Sequence, residues 1–281
     1  MTSKTPDTVT QQIAVILGTS GSGQPLLNIL RRLLGKDAGT QLHGVFIEND
    51  ELQQAAALPF VKELCRLTLS VREIHNTRFD RTIALRMRTA RSAVEELARH
   101  MGVPHTFREA QGSTIRLLRE TVHSSDITIF EPLSKLAGPT IKQSVHGKRA
   151  HRRIVVVIDD EETGGEALLI AALLADNETH RISILLRAET TVELEVMDNM
   201  INDLLPVGTK RLLLLPDHGV QHLIATVLAE RADMLVLGAS EELLKTESLG
   251  SLLKQLNCPI CLVRHLDRGS TKPLPDSLIQ D

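Results

Sequence analysis

Short apolar runs alternate with helical patterns along the whole chain. IAVIL (13–17) has the length and β-branched content of a buried strand. GTSGSGQ turns the chain, and PLLNILRRLL has helical spacing with Pro25 in its first turn, where a missing N–H costs little. LHGVFI (42–47) predicts a second strand. HTFREA (105–110), a helix from about Ser113 and DITIF (126–130) continue the alternation. The pattern then restarts. RIVVVI (153–158) predicts a strand and EALLIAALLA a helix that is apolar nearly all round. RISILL, RLLLL, MLVL and PICLV predict further strands, with helices between them. This order implies an α/β protein whose mainly parallel sheets are built from right-handed crossovers and flanked by helices.

The restart has a measurable offset. Ile13 lies over Ile154, Leu17 over Ile158, Gly23 over Gly164 and Leu27 over Leu168, all displaced by 141 residues. Near the end of each half, DITIF lies over DMLVL and Asp126 over Asp233, displaced by 107. The first half therefore carries about 34 extra residues, which fall mostly in 49–101. There Ile83, Met87, Ala90, Val94, Leu97 and Met101 recur at helical steps and form one stripe. Arg81, Arg88 and Arg91 lie off it, as a solvated face or, alternatively, a phosphate-contacting one. The halves meet near HGKRAHRR (146–153), read as a linker into a strand. The tail DRGSTKPLPDSLIQD (267–281) has a disordered composition. These features predict a first domain over 1–147 with a helical insertion at 49–101, a second over 148–266, and a tail over 267–281.

Composition narrows the classes. The 281 residues carry a net charge of −3, which gives no electrostatic footprint for nucleic acid or an anionic membrane. Trp and Tyr are absent and all five Phe lie in the first half, so the second half has no such ring to stack on a base. No apolar run approaches the roughly 20 residues of a membrane helix. The polar N-terminus has no secretory apolar segment, and three cysteines make no disulfide framework. A soluble cytoplasmic protein is expected, with no nucleic-acid partner and no membrane insertion.

Residues 153–264 resemble a universal stress protein domain. In VVVIDDEETGGEALLIAALLA, Asp159 takes the family's strand-end Asp, and Ala167-Leu168 begin its helix pattern. VLGAS, then LGSLLKQLNCPICLVR, match the family's Gly-x2-Gly-x9-Gly-Ser/Thr ending and its final strand. In the first half the resemblance rests on element order, HTFREAQGS and SSDITIFEP. It implies two tandem Rossmann-like domains, the first copy divergent, related to the adenine-nucleotide α-hydrolase-like group. It further implies a regulatory stress-response protein rather than an enzyme, paired as a homodimer or as a pseudo-dimer within one chain, with a protein partner.

The resemblance also places a nucleotide site, which this sequence alters. Asp159 would lie near base or ribose, and Gly238, Ser240, Gly250 and Ser251 near the phosphates of ATP or AMP. The second family glycine falls on Glu241, the last spacing is one short, and Glu161 replaces a hydroxyl. A carboxylate about 4 Å from a phosphate charge costs on the order of 1–4 kcal/mol between water and an effective dielectric of 20. A helix N-terminus favours an anion by about 0.3–2 kcal/mol. Glu241 turned inward would therefore cancel the loop's attraction. Ser240 followed by Glu241 and Glu242 also reads as a capped helix start. The expectation is a degenerate loop with weak or no ATP binding and no required cofactor. The alternative is an ATP- or AMP-binding universal stress protein, or an ATP-hydrolysing α/β enzyme.

Other motifs are weaker. GTSGSGQP spaces Gly18 and Gly23 as a phosphate loop would, but Gln24 and Pro25 hold the Lys and Ser/Thr places, and Glu131-Pro132 stand where the second copy has Gly238-Ala239. CPIC (258–261) follows a helix and enters a strand, without the helix N-terminus that activates a thiol. His218 and His222 are four apart near Asp217, with no third metal ligand evident. PICLV (259–263) is also a candidate edge strand for pairing between chains.

Overall fold

The computed structural model of the chain describes residues 11–18, 23–34, 39–49, 76–132, 153–176, 178–188, 190–205, 211–215 and 219–264, with short pieces between 54 and 73. The linker 146–152 and the tail 267–281 lie outside the described residues. In the first half β1 (Gln11–Gly18), α1 (Gln24–Leu33) and β2 (Thr40–Asn49) precede a small hairpin, β3 (Lys62–Leu64) and β4 (Val71–Glu73). Then come α2 (Asn76–Met101), β5 (His105–Gly112), α3 (Thr114–Ser124) and β6 (Ile127–Phe130). The second half runs β7 (Ile154–Ile158), α4 (Glu161–Leu174), β8 (Ile182–Leu186) and α5 (Thr191–Leu204). It ends with β9 (Arg211–Leu214), α6 (Val220–Ala229), β10 (Met234–Gly238), α7 (Thr246–Gln255) and β11 (Ile260–Val263).

Nine of these strands form one sheet in the order β5-β2-β1-β6-β11-β10-β7-β8-β9. Every pairing is parallel except β6 with β11, where Ile127 faces Val263 and Phe130 faces Ile260. The result is an α/β, Rossmann-like architecture. In the second half the strands stand third, second, first, fourth, fifth; the first half repeats third, second, first, fourth. Next to its fourth strand comes β11 of the other half. The edge-strand reading of PICLV is therefore corrected: β11 lies between β10 and β6, and its residues are buried. An unbroken run of Ile, Cys, Leu and Val suits a strand covered on both faces.

A shared clamp recurs at the displaced positions. The Asp126 carboxylate accepts the Gln12 N–H at 2.7 Å, and Asp126 N–H donates to the Gln12 carbonyl at 2.9 Å. Asp233 does the same with Arg153, at 2.9 and 2.8 Å. Gln12 and Arg153 are 141 apart, and Asp126 and Asp233 are 107 apart. Each Asp satisfies a strand-start N–H that the ladder leaves without a partner.

Helices cover both faces. One layer runs α2, α1, α4, α5, each helix packed on the next, and shares a core with Ile13, Val156 and Ile184 of the sheet. The other runs α3, α7, α6, over Ile16, Val155 and Leu235. Asp160 starts α4, its carboxylate accepting the Thr163 N–H at 2.7 Å, with Glu161 and Glu162 on the favourable end of the helix dipole. Thr190 caps α5 through the Glu193 N–H at 3.2 Å. The helical insertion contains α2, with Ile83, Val94 and Leu97 in the core, and also the β3–β4 hairpin, whose three-residue strands are too short for a period to appear. Arg91 bonds Glu109 at 2.7 Å and covers the Phe107 ring at 5.2 Å, so it packs α2 onto β5.

At the strand starts of the second half, Glu230 is a buried carboxylate, 5% exposed. It accepts from Ser183 Oγ at 3.1 Å and Arg211 Nη2 at 2.7 Å, and Arg153 Nη1 lies 3.7 Å away. One side chain thus ties together the entries to β7, β8 and β9. We expect Glu230→Ala to lower unfolding stability by about 1–3 kcal/mol in urea titrations, since it leaves Ser183 buried without its acceptor. A change under about 0.5 kcal/mol, the size of an ordinary surface substitution, would contradict this role. His43 gives a pH signature. Burial first and Arg108 second hold its imidazole below the usual value, with Asp126 opposing. The unfolded chain then binds more protons, so this contribution is present above the unfolded pKa of about 6.5 and shrinks as pH falls below it. Urea midpoints between about pH 7.5 and 5 should fall less steeply in His43→Gln than in the parent; equal slopes would rule the effect out.

Candidate functional site

Doubly wound sheets bind ligands beyond the carboxyl ends of their strands, where consecutive helices leave to opposite faces. In the second half that point lies between β7 and β10, paired as Val157 with Leu237. The chain leaves β7 through Asp159 and Asp160 into α4 on one face, and leaves β10 through Gly238, Ala239 and Ser240 towards α7 on the other.

Side chains from both strand ends meet at this crevice. Thr163 donates its backbone N–H and its hydroxyl to the two oxygens of Asp160, both at 2.7 Å, which fixes the first turn of α4. That turn rests on the end of β10. A Cβ at Gly238 would overlap Thr163 Oγ1 and lie 2.9 Å from Thr163 Cβ. Gly238 is thus accounted for by Thr163. Asp159 is tied to Arg187, whose Nη1 lies 3.3 Å from Oδ2. Arg187 follows β8, is buried, and gives its backbone N–H to the Ile158 carbonyl at 3.0 Å.

After Gly238 the chain makes one turn and not a helix. Ser240 Oγ accepts the Leu243 N–H at 3.4 Å, and its carbonyl accepts from Leu244 at 3.0 Å. Leu243 and Leu244 are buried, whereas Glu241 and Glu242 are exposed and Glu242 pairs with Lys245. The inward-facing Glu241 is therefore corrected: apolar leucines, not a carboxylate, pack beneath this turn. Helix α7 begins only at Thr246, so Gly250 and Ser251 lie inside it and not at its amino end. A Cβ at Gly250 would sit 3.3 Å from Ile115 Cδ1, so this glycine lets α7 approach α3 of the other half. Asp159, Gly238 and Ser240 share the strand-end edge; Gly250 and Ser251 sit in the helix that follows.

Arg187 and Thr163 were missed from the sequence. The signal for Arg187 was a charge closing the apolar run RISILLR, in a strand whose neighbours bury both its faces. For Thr163 it was the hydroxyl three residues beyond a capping Asp. In the first half, residues 19–22 of the glycine loop lie outside the described residues. Gly23 has φ +64° and precedes α1, a left-handed entry that favours glycine. Cys258 and Cys261 are buried without a disulfide, and burial pushes the Cys261 thiol far above its usual range. Asp217 and His218 lie outside the described residues; His222 is exposed on α6. Among the described residues no group of three His, Cys, Asp or Glu could hold a metal, and no helix is long and apolar enough to cross a membrane.

The contact between Gly238 and Thr163 sets a test. Gly238→Ala should lower stability by about 1–3 kcal/mol through overpacking. Combined with Thr163→Ala, which removes the hydroxyl in the way, the loss should be smaller than the sum of the two single losses. Strict additivity in a urea double-mutant cycle would show that the two residues do not meet.

No family model matches the chain, and no curated protein does. Among solved structures it is similar to a universal stress protein from Archaeoglobus fulgidus DSM 4304, at 13% identity and a TM-score of 0.46, covering 90% of this chain and 97% of that one. An alignment with MurG from Acinetobacter baumannii has 12% identity and a TM-score of 0.19, over 82% of this chain and 73% of that one.

Proposed function

We propose that this chain is a universal-stress-protein-like regulatory protein of the cytoplasm, built from two copies of the module, that works through its surface and not through catalysis or a tightly held nucleotide. Three features support the module and its duplication: the third-second-first-fourth strand order in both halves, the Asp126 and Asp233 clamps at the repeat offsets, and the strand-end Asp159 with Gly238. Two contacts at the strand ends support the nucleotide reading. Thr163 fills the space over Gly238, and Arg187 holds the carboxylate that would meet a ribose. A nucleotide seated there would have to displace a capped helix turn and break a half-buried ion pair before it gained any contact of its own. The turn after Ser240 buries leucines where a phosphate-binding loop aims N–H groups outward.

Calorimetry with ATP, ADP and AMP, with and without magnesium, should give dissociation constants no tighter than about 1 mM. Micromolar binding that is lost in Asp159→Ala or Gly238→Ala would overturn this reading and place a working nucleotide site between β7 and β10.

A further inference from the structure

The two ends of one helical layer carry opposite charge. On α2, Arg81, Leu85 and Arg88 follow at steps of four and three and share one face. All three are exposed, Leu85 to 65%, on the side away from Ile83 and Leu97, which enter the core. At the other end, α4 and α5 flank an open groove of about 700 Å³. Gly165 forms its floor, where a Cβ would lie 3.2 Å from Met200 Sδ. Leu169 and Val196 line it, 48% and 40% exposed, and Leu173 and Val192, one helical turn away from them on the same two helices, are also exposed. Glu161, Glu162, Glu166 and Asp203 also line the groove, and among the described residues no Lys or Arg does. Apolar side chains gathered in the open on adjacent helices mark a docking surface.

The layer order α2, α1, α4, α5 decides the occupant. A twofold axis parallel to the strands, lying on the outer surface of this layer between α1 and α4, sets α2 of each copy along the α4–α5 groove of the other. The same contact is then made twice, as an isologous pair requires. The exposed Leu85 meets the groove's apolar side chains, and Arg81 and Arg88 meet the acids. A foreign basic helix would fill the groove but leave the α2 face of this chain uncovered. We propose that the α4–α5 groove is the docking site for the Arg81–Leu85–Arg88 face of a second copy of this chain. This deepens the surface-acting reading above, by naming the surface.

Sedimentation velocity over a concentration series tests it. The chain should dimerise at about 50 mM salt and more weakly at about 500 mM, where exposed charges are screened. Arg81→Glu with Arg88→Glu should weaken the dimer at least about tenfold, since each ion pair is lost twice. Adding Glu161→Lys and Asp203→Lys to that variant should restore dimerisation, and Leu85→Asp should abolish it. Arg81, Leu85 and Arg88 are exposed, so circular dichroism melts of the α2 variants should match the parent, whereas the variant that adds Glu161→Lys should melt slightly lower because that residue lies in the first turn of α4. A monomer at every concentration, a dimer indifferent to the arginine reversals, or a loss the lysines do not repair would each overturn the proposal. None of these outcomes alters the calorimetric result, so failure here is distinct from failure of the nucleotide reading.

Discussion

Strand β11 is hydrogen-bonded along both edges, parallel to β10 and antiparallel to β6, and this single strand makes one sheet of two halves. A parallel sheet with helices on both faces has only its edges left to expose. Had the second half ended in a free β11, its buried run of Ile260, Cys261, Leu262 and Val263 would have been an apolar strand open on one side. Pairing with β6 removes that edge within the chain. It also puts Arg264 beside the first half's strand-start clamp, where it lies 3.7 Å from Asp126 and donates to the His123 carbonyl at 2.6 Å. The junction is locked by backbone ladder and side chain together.

The same junction explains a glycine that the family resemblance assigns to a phosphate. With β6 beside β11, helix α3 of one half lies against α7 of the other, and Gly250 faces Ile115 across that contact. A residue type that favours close backbone approach suits a ligand or a neighbouring helix equally well. Which of the two it meets depends on a segment more than a hundred residues away, and no local pattern contains that information.

Legibility follows the same division between local and distant causes. The inner strands of both halves were readable because burial on two faces leaves continuous apolar runs, and α2 because its stripe from Ile83 to Met101 repeats for about five turns. The displaced alignment paired Asp126 with Asp233, and both hold the same backbone clamp. The short β3–β4 hairpin left no period to read. The direction of Glu241 was misjudged because Ser240 closes one turn that buries Leu243 and Leu244 and so turns the two acids out. Arg187 escaped notice because a charge at the end of a strand is ordinary in sequence. It becomes informative only once β7 and Asp159 lie beside it.

Asp159 and Asp160 show how neighbouring carboxylates at a strand end can be used inside the fold. They are adjacent in sequence and stand at the end of the same strand, yet they face different partners: Asp160 binds the first turn of α4, and Asp159 binds Arg187 from the neighbouring strand. Each carboxylate is held by a donor from its own half. Thr163, positioned by Asp160, then occupies the space that Gly238 leaves open. An approaching phosphate would meet two carboxylates, Asp159 held through Oδ2 by Arg187 and Asp160 capping the first turn of α4. The attraction that a strand-to-helix turn offers an anion is thereby used inside the fold, and the exposed chemistry of this half moves outward to the acids and leucines of α4 and α5.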